Sequence, residues 1–94
     1  MRLREEGRAS TDFLAIATFF GSQLEVRVVD LSTTGCMIEF AGEIPAVGST
    51  LTLNLAGKFD ASGQLVWKNE TRFGVEFLKP VSLAVIDHIA AIQH

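Results

Sequence analysis

The chain has a single cysteine, Cys36, so no internal disulfide can hold it together. Cys36 sits in an apolar run and reads as a small packed hydrophobe. A nucleophilic role would need an activating base, and the two histidines lie far away in sequence. No apolar run approaches the roughly 18 residues of a membrane-spanning helix. The N-terminus is charged, with no hydrophobic stretch before Phe13, so there is no signal-peptide pattern. The chain reads as soluble and cytoplasmic. It also lacks a basic excess: the formal net charge is −3, which argues against a general nucleic-acid binder. There is no metal-ligand spacing, and no Ser-His-Asp or paired-carboxylate arrangement is compelling, so an enzyme reading has almost no support. His88 and His94 read as helix-end cations or polar-face residues. There is no internal repeat and no low-complexity segment.

What is present is one domain. Its 94 residues are 48% hydrophobic, enough for a core without a metal or disulfide. Residues 1–10 show no period and little to bury, and read as a mobile tail. Phe13 to Phe20 is rich in strand formers, and Gly21-Ser22 makes a hairpin turn. Leu24, Val26 and Val28 alternate with Glu25 and Arg27, as in a half-buried strand. Cys36, Ile38 and Phe40 share one face of the next. Residues 41–49 form the longest loop. Leu51, Leu53 and Leu55 give the clearest period of two. Ala56-Gly57-Lys58 turns the chain into a long strand, Phe59 to Lys68, in which Gly63 marks a bulge or bend. Asn69-Glu70-Thr71 turns it again, and Phe73, Val75 and Phe77 alternate.

After Pro80 the period changes. Leu83, Ile86, Ile89 or Ala90, and Ile92 recur at helical spacing, and Pro80 suits a helix start. The expected fold is all-β with one C-terminal helix: a small six-stranded antiparallel barrel over 11–94, closed by a helix at about 81–93. Leu83, Ile86 and Ile89 are expected to pack on the barrel. Strands do not alternate with helices, which argues against a parallel sheet. Closing the sheet removes exposed edges.

Two short patterns carry the functional reading. Arg4-Glu5-Glu6-Gly7-Arg8 gives Arg-x-x-x-Arg, and Asp30-Leu31-Ser32-Thr33-Thr34-Gly35 gives Asp-x-Ser-x-x-Gly. By itself the second is a turn with good turn chemistry, since Asp30 and Ser32 can bond nearby backbone and Gly35 can adopt φ > 0. Twenty-one residues separate the two patterns, enough for one hairpin. The ordered pair resembles the PilZ family. The likeness continues through Gly63-Gln64-Leu65-Val66-Trp67 and Arg72-Phe73-Gly74-Val75-Glu76-Phe77, which look like that domain's late strands. It implies a receptor or adaptor for the bacterial second messenger cyclic di-GMP, with no cofactor.

The ligand's groups match the residue types. Arginine's planar fork suits phosphate and the O6/N7 edge of guanine. Asp30 can accept from guanine N–H groups, Ser32 can donate, and Gly35 lets backbone approach. The resemblance makes Arg4 and Arg8 a clamp on a tail that folds over the nucleotide. Charge agrees with this. Residues 1–8 hold three arginines and two glutamates, net +1, whereas the other 86 residues are net −4. Arg2 is a further candidate. Trp67 has two readings, as a ligand-stacking aromatic or as a core residue sharing a face with Phe59, Ala61, Gly63 and Leu65.

The chain departs from the family pattern at three positions. Leu3 stands where members often carry another arginine, and Glu5 and Glu6 put negative charge inside the first motif. These support an alternative: a PilZ-like protein-interaction adaptor that binds nucleotide weakly or not at all. Either role implies an unidentified downstream protein, and a monomer or weak dimer. The span from Met1 to just past a helix is compatible with a stand-alone receptor.

Overall fold

The structure is a computed structural model in which residues 8–92 are described. Six strands form a closed antiparallel barrel: β1 (Arg8–Phe19), β2 (Ser22–Ser32), β3 (Gly35–Glu39), β4 (Thr50–Leu55), β5 (Phe59–Asn69) and β6 (Arg72–Phe77). They run in the order β1-β2-β3-β6-β5-β4, and β4 pairs back onto β1. A single helix, α1 (Leu83–Ile92), follows. This is the architecture the alternating pattern predicts.

Inward-facing residues from all six strands and α1 form one core. Ala15, Ala17, Val26, Val28, Leu31, Ile38, Leu53, Leu55, Leu65, Phe73 and Val75 meet Ile86 and Ile89 of the helix. Leu83 does not join them and is 48% exposed, because the buried stripe of α1 runs through Ile86, Ile89 and Ala90. The helix begins later than Pro80 suggests. The Ser82 side chain caps it, its Oγ accepting from the Val85 amide at 3.3 Å. The His88 ring stands edge-on to Phe59, with centroids 5.7 Å apart.

Two boundaries and one expected bulge differ from expectation. The first strand starts at Arg8, not Phe13: Arg8, Ala9 and Ser10 oppose Ser32, Leu31 and Asp30. Part of the segment expected as a tail is therefore ladder. The mobility expected for the tail concerns residues that otherwise lie outside the described ones. The first hairpin turns on Phe20-Gly21, one residue early. Phe20 takes a left-handed φ of 48° and is 82% exposed. Gly63 marks neither bulge nor bend, since it pairs regularly with Leu51 and Phe77. A Cβ there would meet Val75 Cγ1 at 2.7 Å and the Glu76 carbonyl oxygen at 2.8 Å, so this glycine permits close approach of β6.

The real irregularities lie elsewhere. Val28 and Asp30 oppose the consecutive Ile38 and Met37, so Val29 is an extra residue in β2. Leu65 and Trp67 oppose the consecutive Val75 and Gly74, so Val66 is an extra residue in β5. A third shift lies on β1 between Ser10 and Phe13. There the buried Thr11 hydroxyl donates to the Val28 carbonyl at 2.9 Å, satisfying a group beside the β2 bulge.

Candidate ligand-binding site

The bulges at Val29 and Val66 determine which side chains leave the barrel. Val26 and Val28 point inward, and strict alternation would send Asp30 inward after them. The extra Val29 reverses the parity, so Leu31 is buried and Asp30 lies at the outer face. The same happens in β5. Ala61, Gly63 and Leu65 are buried, and Trp67 would follow them without the extra Val66. Trp67 is instead 42% exposed, which removes the core reading of this residue.

Pairing then sets one row of residues across five strands: Ser10, Asp30, Met37, Gly74 and Trp67. Gly74 faces outward in this row and is nevertheless buried. The Trp67 indole lies over it, and a Cβ at Gly74 would fall onto the indole ring.

Around this row lies a cavity of about 190 Å³ lined by Asp30, Leu31, Ser32, Gly35, Cys36, Met37 and Trp67. It brings together four of the residues singled out from sequence. Cys36 and Met37 are lining residues that sequence reasoning did not select. Gly74 was also missed as a contributor, although a glycine inside a strand is itself a signal of close approach.

The turn between β2 and β3 consists of Thr33 and Thr34. Ser32 Oγ accepts from the Gly35 amide at 3.2 Å and the Thr34 amide at 3.3 Å, and donates to the Gly35 carbonyl at 3.1 Å. Ser32 thus holds the turn itself, as such residues commonly do. Gly35 is needed for closeness, not for positive φ. It is absent from the left-handed residues, and a Cβ on it would collide with the Val75 carbonyl oxygen. The turn is anchored from outside: Thr34 O accepts from the Phe77 amide and Thr33 O from the Val81 amide, both at 2.8 Å.

Among the described residues the lining carries one charged side chain, Asp30, and no cation. Burial pushes the Cys36 thiol from its ordinary 9.0 up to about 12, and the Asp30 carboxylate adds to the shift. A thiol held protonated is a poor nucleophile. Arg27 and Arg72 stand away from the cavity, paired with Asp12 at 3.1 Å and Glu39 at 3.2 Å. Arg2 and Arg4 lie outside the described residues, as do Leu3, Glu5 and Glu6. The backbone of Arg8 is opposite Ser32, two residues from the Ser10–Asp30 pair. No group of three or more metal-ligating side chains occurs among the described residues, and none of their helices is long and apolar enough to cross a membrane.

The PilZ domain family model matches residues 2–92. No curated protein matches the sequence closely enough to narrow the family further. A match over nearly the whole chain, on a closed six-stranded barrel with one C-terminal helix, means that this protein belongs to the PilZ family of cyclic di-GMP receptors and adaptors.

Proposed function

We propose that this protein is a cytoplasmic bacterial receptor that binds cyclic di-GMP on the outer face of its barrel and passes the signal to a partner protein. Asp30, Ser32 and Gly35 form the floor, Trp67 forms an aromatic wall, and Arg4 and Arg8 clamp the nucleotide from the N-terminal side. Arg2 adds a further positive charge. The observation that carries this reading is the meeting of Asp30, Ser32, Gly35 and Trp67, from three strands, around one cavity.

Size and charge both support a clamp. The 190 Å³ cavity is smaller than the roughly 300–1,000 Å³ of sites that enclose drug-sized ligands. It suits one base or one phosphate, and the rest of a dinucleotide needs cover from another segment. The described lining offers no cation for a ligand with two phosphates. The arginines of residues 1–8 form the chain's basic cluster, and β1 brings the Arg8 backbone opposite Ser32. In this arrangement Asp30 accepts from guanine N–H groups. The arginines take phosphate or the O6/N7 edge, and Trp67 stacks on a purine, a contact worth about 1–3 kcal/mol per base.

Calorimetric titration with cyclic di-GMP tests the proposal. Arg4→Ala should weaken binding about five- to 150-fold, the equivalent of one lost bidentate contact. Its melting temperature without ligand should stay near the parent's. Asp30→Ala should weaken binding as well. Glu5→Gln with Glu6→Gln should tighten it modestly, and less at high salt, where the removed repulsion is already screened. An Arg4→Ala variant that binds like the parent would remove that arginine from the clamp. A parent that does not bind would leave the adaptor reading, which Leu3, Glu5 and Glu6 favour.

A further inference from the structure

Gly74 belongs to neither motif, yet it sits at the centre of the outer-face row, flanked by Met37 on β3 and Trp67 on β5. Two independent features act on the indole. The extra residue Val66 turns Trp67 out of the core, and the missing side chain at residue 74 gives the ring a place to lie. Without the bulge, Trp67 would compete for core volume with Leu65. With any Cβ at position 74, the ring would be driven off β6. The strand itself does not require this glycine, because Gly74 has no positive φ and the atoms nearest its virtual Cβ all belong to Trp67. Gly35 differs, since there the obstacle is the backbone of Val75.

We propose that Gly74 is a positioning residue whose role is to seat Trp67 flat across β6, so that the indole forms the wall of the cavity facing Asp30 and Met37. Its effect on nucleotide affinity rests on the receptor function proposed above. Its effect on Trp67 does not.

The chain contains one tryptophan and no tyrosine, so intrinsic fluorescence reports on this ring alone. Four proteins decide the matter: the parent, Gly74→Ala, Trp67→Ala and the double variant. In ligand-free protein, Gly74→Ala should shift the Trp67 emission to the red and raise its quenching by acrylamide. Gly74→Ala should lower the urea midpoint of the parent but not that of Trp67→Ala, because removing the indole removes the obstacle. Cyclic di-GMP affinity should fall about five- to 150-fold in Gly74→Ala and by a similar factor in Trp67→Ala, with no further loss in the double variant. Unchanged emission and quenching in Gly74→Ala, or an equal loss of midpoint in both backgrounds, would overturn the assignment. If Gly74→Ala fails to fold, the double variant decides. A double variant as stable as Trp67→Ala supports the seating role, and an unfolded one contradicts it. If the parent does not bind cyclic di-GMP, the receptor function falls, while fluorescence and the stability cycle still decide the role of Gly74.

Discussion

The Val81 amide donates to the Thr33 carbonyl at 2.8 Å, which ties the approach to α1 directly to the turn of the Asp-x-Ser-x-x-Gly motif. The Phe77 amide does the same for Thr34 at the end of β6. A ligand that orders this turn therefore also bears on the segment leading into the helix. On cyclic di-GMP binding, hydrogen exchange at the Phe77 and Val81 amides should slow. The Thr52 amide, on β4 away from the cavity, should change little. Equal changes at all three sites would contradict local coupling.

Helix α1 should be held by its buried stripe and not by its first residue. Ile86 is fully buried against the barrel core, so Ile86→Ala should cost about 2–5 kcal/mol in chemical denaturation. The 48% exposed Leu83 should tolerate alanine within about 0.5 kcal/mol. A reversed order would mean that a different face of the helix meets the barrel.

Thr11 is a polar side chain buried for a structural purpose. Thr11→Val keeps the shape but leaves the Val28 carbonyl without the hydroxyl donor beside the β2 bulge. The expected cost is about 1–3 kcal/mol, the penalty for an unsatisfied buried polar group. Because the bulge also orients Asp30, nucleotide affinity should fall with stability. A neutral substitution would show that the carbonyl finds another partner.

Cys36 makes stability depend on pH in the alkaline range. Its folded-state pKa is raised from 9.0 to about 12. Below about pH 9 both folded and unfolded chains hold the proton, and the protonated thiol contributes fully. Between about 9 and 12 the unfolded chain has lost a proton that the folded chain retains, so stability falls as pH rises. Cys36→Ala should flatten this decline in urea titrations across the window. For the same reason, alkylation of the folded protein by iodoacetamide at pH 8 should be slow compared with the unfolded chain. Rapid alkylation of the folded thiol would contradict the shift.

Much of the barrel was legible because Leu24–Val28, Leu51–Leu55 and Phe73–Phe77 keep strict alternation, and the helix because its period differs. The bulges were not. Val29 and Val66 are ordinary strand residues, and only pairing with β3 and β6 shows that each is one too many. Since one extra residue reverses every later side chain, the exposure of Trp67 was undecidable from alternation alone. The strand start at Arg8 was hidden for another reason. Arg8, Ala9 and Ser10 carry no apolar pattern, and their ladder is held by the register with β2. Asp30, Ser32 and Gly35 were legible as neighbours, but the role of Gly35 was not. It depends on how closely β6 passes, which no local feature of the turn records.

The most direct test of the clamp is a calorimetric titration of cyclic di-GMP into the parent and into Arg8→Ala. Arg8 is the first residue of β1, with its backbone opposite Ser32, and it belongs to the basic cluster proposed above to bring positive charge to a cavity whose described lining has none. The parent should bind, and Arg8→Ala should bind about five- to 150-fold more weakly, with an unchanged melting temperature in the absence of ligand. Equal affinities for the two proteins, or no binding by the parent at tens of micromolar nucleotide, would contradict the account.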